Sequence, residues 1–222
     1  MSSIPIKAGQ TIAFEGDSLT YLRSRPALDQ WPWLRITNNH RSWADIVSEW
    51  LFVWCPHLNL KFRNCAVGGS TCRDLHARLN DTVMPIKPDW LFLTLGSNDC
   101  HHEIPLDEFR NTLMEYAQAV NQWGGKMVFL LLDPPCPGAS ERRIQSSLAR
   151  KPYYSILQEL QNNENLPVDC LDVGNQILPK AKQLFEQYEG HLVYSDGTHY
   201  SHLGAMLIAG EVLRQFGMFQ AE

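Results

Sequence analysis

Apolar residues along the 222-residue chain gather into five short runs, Thr11–Glu15, Lys61–Val67, Trp90–Leu95, Lys126–Asp133 and Val168–Val173. Each is of strand length, and most are nearly continuous in apolar residues, the pattern of a strand covered on both faces. Between the runs, apolar positions recur at helical spacing. Trp43, Ile46, Val47, Trp50, Leu51 and Trp54 share one face over 43–54. Phe109, Leu113, Tyr116, Ala117, Val120 and Trp123 share one face over 106–123, and Gly124-Gly125 ends that helix. Residues 153–161, 176–188 and 202–216 read as further helices. Strands alternating with helices predict an α/β fold, a three-layer α/β/α sandwich with a five-stranded parallel sheet in flavodoxin-like order. No internal repeat, low-complexity segment or linker interrupts the pattern, so residues 1–222 are expected to form a single domain.

In sheets of this kind ligands bind at the carboxyl ends of the strands. The first strand ends in Gly16-Asp17-Ser18-Leu19. The second runs into Asn64-Cys65-Ala66-Val67-Gly68-Gly69-Ser70-Thr71, and the third into Leu95-Gly96-Ser97-Asn98-Asp99. A fourth motif, Ser195-Asp196-Gly197-Thr198-His199, precedes the last helix, which can return a loop to the same edge. Singly, each motif has an ordinary alternative. Gly16-Asp17-Ser18 and Asp196-Gly197 suit turns, Gly68-Gly69 a strand-to-helix turn, Asn98-Asp99 a helix N-cap, and His199 the surface. Jointly they point to nucleophilic catalysis, because a serine is a weak nucleophile until a positioned base takes its proton.

The four motifs, in this order and over nearly the whole chain, resemble the GDSL family of serine esterases, also called SGNH hydrolases. The resemblance implies the SGNH hydrolase fold, with Ser18 as nucleophile, His199 as general base and Asp196 holding the other imidazole nitrogen. It assigns the oxyanion hole to the Ser18 amide, the Gly69 amide and the Asn98 side chain. Gly69 is preferred to Gly68 because the family pattern places the glycine five residues after the asparagine, here Asn64. Asp17 gains no catalytic role and is expected to stabilise the turn that presents Ser18. The implied chemistry is a covalent acyl-enzyme with no cofactor and no metal. Residues 64–74, with Lys87-Pro88-Asp89-Trp90, are similar to the branch containing acetylxylan and related carbohydrate esterases, which remove acetyl groups from sugar hydroxyls. The expected substrate is a small-molecule or oligosaccharide ester, with an acetylated sugar favoured. The alternatives are lysophospholipase-like, lipase-like or aryl ester cleavage, acyl transfer to a sugar, and a catalytically silent carbohydrate-binding protein. The last is disfavoured because all four positions hold competent residues.

Composition narrows the partners. A net charge of −5 and a pI near 5.9 argue against a nucleic-acid footprint. Residues Met1–Gln10 lack the apolar core of a secretory signal, and the longest apolar stretch, Met127 to Leu132, is too short to span a bilayer, so a cytoplasmic location with no membrane contact is expected. The six cysteines form no C-x-x-C pair and read as free thiols, neither a disulfide framework nor a zinc site. The segment 23–39 follows the nucleophile and carries Trp31-Pro32-Trp33-Leu34. Trp31 and Trp33 are candidates to bind substrate by stacking on a sugar ring, or to pack over the first helix. Cys100-His101-His102-Glu103 is expected to shape the pocket rim, since its spacing does not place metal ligands on one helical face. Arg142, Arg143, Arg150 and Lys151 are expected to form a solvated helix face, the alternatives being attraction of an acidic substrate and contact with another subunit. His202 lies near His199 and is the competing candidate for the base.

Overall fold

Strands β1 (Thr11–Gly16), β2 (Lys61–Asn64), β3 (Trp90–Thr94), β4 (Lys126–Leu130) and β5 (Val168–Leu171) form one sheet in the order β2-β1-β3-β4-β5 in a computed structural model that describes residues 4–21, 41–188 and 192–219. Every pairing is parallel, with Gly16 opposite Thr94 where β1 and β3 end side by side. The order is the flavodoxin-like one, and its direction reverses between β1 and β3. Eight helices join the strands among the described residues: α1 (Ser18–Tyr21), α2 (Trp43–Trp54), α3 (Cys72–Thr82), α4 (Ser97–His101), α5 (Leu106–Asn121), α6 (Glu141–Gln161), α7 (Val173–Tyr188) and α8 (His202–Gln215).

The period-2 alternation of the strands builds two cores. On one face Ile12, Phe14, Phe92, Val128 and Leu130 pack with Trp43, Val47 and Leu51 of α2 and with Ile208 and Val212 of α8. On the other, Ala13, Leu91, Leu93, Met127 and Phe129 pack with Leu75 and Leu79 of α3, Phe109 and Leu113 of α5, and Leu157 of α6. β1, β3 and β4 are covered on both faces, which accounts for their near-continuous apolar sequences. β2 and β5 are the edges and expose polar residues. β2 ends at Asn64, short of the expected Val67, although Cys65 and Val67 still donate to Phe14 and Gly16 of β1.

Four helices, α1, α3, α4 and α6, depart from the sequence expectation. α3 lacks a broad apolar stripe because only Cys72, Leu75 and Leu79 are buried among its charged residues. The four-residue α1 and five-residue α4 are too short to carry a period. α6 starts at Glu141, twelve residues before the expected 153. Its first half turns Arg143, Ser147 and Arg150 inward, so the buried stripe has helical spacing but polar chemistry. The basic stretch is therefore not a solvated face: Arg143 and Arg150 are buried, while Arg142 and Lys151 are exposed. No helix among the described residues is long and apolar enough to cross a membrane.

Candidate active site

β1 delivers Ser18 through a turn that requires a glycine. Gly16 has φ +130°, and a Cβ there would lie 2.3 Å from the Thr94 carbonyl oxygen of the neighbouring strand. Asp17 follows, buried, and its Oδ1 accepts from the Leu19 amide at 2.9 Å and from the Thr94 hydroxyl at 3.3 Å. Its carbonyl accepts from the amides of Thr20 and Tyr21, so Asp17 starts α1 and leaves Ser18 at the first helical position. The sequence expectation that Asp17 builds the turn is matched by these contacts.

Burial pushes the Asp17 carboxyl up to about 6, against the pull of the Leu19 amide, Arg150 and Thr94. A carboxyl raised above its unfolded value near 4 favours folding fully below that value, and the contribution is lost as the pH climbs through 6. The shift corresponds to on the order of 3 kcal/mol. Asp17→Asn, which cannot ionise, is expected to gain stability relative to wild type by that order between pH 4 and pH 7 in urea unfolding. Parallel curves for the two proteins across that range would remove the buried-acid account.

His199 arrives from the far end of the sequence. His199 Nε2 lies 3.2 Å from Ser18 Oγ, and His199 Nδ1 lies 2.8 Å from Asp196 Oδ2. Asp196 Oδ1 also accepts the amides of Thr198 at 2.9 Å and His199 at 2.7 Å, fixing the carboxylate in the turn that holds the ring. Burial raises the Asp196 carboxyl, but these bonds outweigh it and hold the group below its ordinary range. The loop is fastened on both sides. Tyr194 and Tyr200 form an antiparallel bridge, and Ser201 caps α8 through the Gly204 amide at 3.2 Å. Gly197 accepts from the Ser140 amide at 2.9 Å, tying the loop to the start of α6. His202 opens α8 with its imidazole lowered by burial; its Nδ1 has no hydrogen-bond partner, and the bonds to Ser18 and Asp196 are made by His199.

The second and third motifs meet at Ser70. The Asn98 side-chain NH₂ donates to the Ser70 carbonyl at 3.0 Å and lies 3.4 Å from Asp17 Oδ2. Gly69, just before Ser70, has φ +82° and open space where a side chain would stand. A Cβ on Gly68 would lie 3.9 Å from the Ser18 Cβ, so this glycine pair flanks the nucleophile. The amides of Ser18 and Gly69 donate to no described residue. Asp99 buries its carboxylate between the amides of Cys72 at 2.7 Å and Gly96 at 3.1 Å, which locks the turn carrying Asn98 to α3.

One cluster has no counterpart in the sequence reading. Glu15, fully buried at the end of β1, accepts from Arg78 Nη2 at 2.6 Å. Arg78 also donates to Ser70 Oγ at 2.8 Å and the Gly16 carbonyl at 3.3 Å. Desolvation raises the Glu15 carboxyl despite these bonds. Arg78 thereby ties the nucleophile turn to the glycine loop from beneath. Its sequence signal is weak, a single arginine on a charged helix 63 positions from its partner.

Ser18, Leu19, Asn98, Asp196 and His199 open into a crevice of about 740 Å³. Its walls include Ser97, Cys100 and His101 of α4, Ser140, and Arg142, Arg143, Gln145, Ser146 and Ala149 of α6. Cys100 and His101 thus stand where the rim was expected. The cysteines of the chain are free thiols. Trp31 and Trp33 lie outside the described residues.

Comparisons with known proteins agree with this fold. The model of the GDSL-like lipase/acylhydrolase family matches residues 14–207. An acetylxylan esterase from Geobacillus stearothermophilus is 25% identical over 96% of this chain and 96% of its own. A solved catalytic mutant of Axe2, an acetylxylan esterase from the same organism, aligns with a TM-score of 0.73 at 21% identity, over 99% of this chain and 100% of its own. LAE5, an α/β hydrolase from the metagenome of Lake Arreo in Spain, aligns with a TM-score of 0.71 at 20% identity, over 97% of this chain and 98% of its own. With four motifs gathered at the strand ends and a family match across most of its length, the chain belongs to the GDSL-like lipase/acylhydrolase family, and it is a carboxylic ester hydrolase.

Proposed function

We propose that the enzyme deacetylates sugar esters through a covalent acyl-enzyme on Ser18. The observation that carries this reading is the hydrogen-bonded series Ser18–His199–Asp196 at the point where the strand order reverses, opening into a polar crevice. His199 Nε2 takes the Ser18 proton as Oγ attacks the acetyl carbonyl, and the imidazolium that forms faces Asp196. The oxyanion of the tetrahedral intermediate is met by the amides of Ser18 and Gly69 and by the Asn98 side chain. Asn98 holds one N–H on the Ser70 carbonyl at 3.0 Å and the other on Asp17 Oδ2 at 3.4 Å, and the longer of the two bonds is given up when that N–H turns to the oxyanion. Collapse breaks the bond to the sugar oxygen, which leaves with the proton from His199. Water then enters, loses a proton to His199 and attacks the acetyl group. Acetate departs and the proton returns to Ser18 Oγ.

The crevice can receive a polar alcohol, because Ser97, Ser140, Gln145, Ser146 and Thr198 offer it hydrogen-bonding groups beside the apolar surface of Leu19 and Ala149. The name of the acetylxylan esterase from Geobacillus stearothermophilus supports the same substrate class. The spacing also agrees: solved catalytic mutants of Axe2 are altered at a serine, at an aspartate, and at a histidine three residues after that aspartate. The test is a series of 4-nitrophenyl esters from acetate to octanoate, run beside acetylated xylo-oligosaccharides. We expect kcat/KM to fall by about tenfold or more from acetyl to octanoyl, with acetate released from the sugars, the scale of a methylene mismatch in an acyl site. Preference for octanoate with no acetate release would overturn the sugar-ester reading in favour of a lipase-like one.

A further inference from the structure

Two arginines on α6 enter the crevice without a carboxylate partner among the described residues. Arg143 is 1% exposed and lines the crevice. Its guanidinium is held by neutral groups: Nη2 donates to the Leu132 carbonyl at 3.1 Å and to the Tyr200 hydroxyl at 3.4 Å, and the group lies over the Tyr200 ring at 5.7 Å. Its Nε is buried with no partner. Arg150, on the same face of the same helix, likewise buries its Nε and Nη1 without a partner, but its Nη2 is paired with Asp133 at 2.7 Å, so the difference between the two lies in the ion pair. A buried cation with no ion pair of its own is costly; the Asp133 carboxylate acts on Arg143 only from beyond ion-pair distance, and an incoming anion adds to that pull. Arg142 stands next to it at the exposed rim of the crevice and makes no ion pair with a described residue. One carboxylate lines the described walls, that of Asp196, and its oxygens are already occupied by two amides and His199. The net charge of the chain is −5, so a positive crevice wall is a local feature and not the overflow of a basic surface.

We propose that the enzyme selects substrates bearing a carboxylate, which Arg142 and Arg143 bind in the crevice beside Ser18. The inference rests on the esterase reading above and narrows its substrate to an acidic ester. The carboxylate belongs either to the alcohol, as in an acetylated hexuronic acid, or to the acyl group, as in the half-ester of a dicarboxylic acid. An arginine fork suits either, since it pairs with a carboxylate in a plane.

The test compares two matched pairs of esters with wild-type enzyme. One pair is an acetylated methyl glucuronide and the acetylated methyl glucoside. The other is the 4-nitrophenyl half-ester of adipic acid and 4-nitrophenyl hexanoate. In at least one pair the charged member is expected to have the higher kcat/KM, with the preference shrinking as salt is added. Arg142→Glu should lower the charged-to-neutral ratio by about tenfold, the scale of one charge-assisted hydrogen bond, and Arg142→Lys should restore most of it. Arg143→Gln acts on a buried group and is read beside its melting temperature, whereas Arg142 lies at the surface and keeps the test open. A ratio unmoved by Arg142→Glu in both pairs overturns the proposal while leaving the esterase standing. Failure of wild type to cleave any of the four esters overturns the esterase reading itself.

Discussion

Replacing Ser18 by Ala is expected to lower kcat for acetyl ester cleavage by on the order of 10⁶, the scale on which loss of the nucleophile acts when serine and histidine work as a unit. Folding should survive. The Ser18 side chain makes one described hydrogen bond, to His199 at 3.2 Å, and the turn beneath it is built by Gly16, Asp17 and Thr94. Because the proposed mechanism has the two residues act on the same proton, Ser18→Ala combined with His199→Ala should cost no more than Ser18→Ala alone. Steady-state cleavage of a chromogenic acetate, with circular dichroism as the folding control, reads both effects. Wild-type turnover in a folded Ser18→Ala enzyme would remove Ser18 from the mechanism, and additive losses would separate the serine from the histidine.

Asp196→Asn should cost on the order of 10⁴ in kcat, as in serine proteases altered at the equivalent acid. The new side chain has nearly the same shape, and its oxygen can still accept the amides of Thr198 and His199. Its NH₂, however, would face His199 Nδ1 where Asp196 Oδ2 now stands at 2.8 Å. A donor there requires Nδ1 to accept, which puts the ring proton on Nε2, the atom that must take the proton from Ser18. Activity therefore falls with little change in the melting temperature. A loss below tenfold would show that the ring is oriented by its surroundings, without help from the acid.

Legibility in the sequence followed burial. β1, β3 and β4 are covered on both faces, so their apolar runs stand out, and the observed starts match the expected ones at Thr11, Trp90 and Lys126. The motifs were readable because turn residues mark where strands end. The parts that escaped are those where polar groups occupy buried positions. Arg143, Ser147 and Arg150 form the inner face of α6, but a search for apolar periodicity passes over them. Glu15 sits in a strand and Arg78 on a charged helix, and their pairing exists only once β1 and α3 are neighbours across the sheet. In both cases a charged residue is buried beside the reactive centre, where local sequence rules are expected to fail.

The separation of Ser18 from its base carries a consequence for how the chain matures. The two residues are 181 positions apart, and the loop bearing His199 is fixed by the cap of α8, a helix that packs on α2 through the core. Under the proposed mechanism, Ser18 has no group to take its proton until that packing is complete. A nascent or partly unfolded chain therefore holds an inert alcohol, and reactivity toward serine-directed phosphonates becomes an all-or-none signal that the two ends of the protein have met.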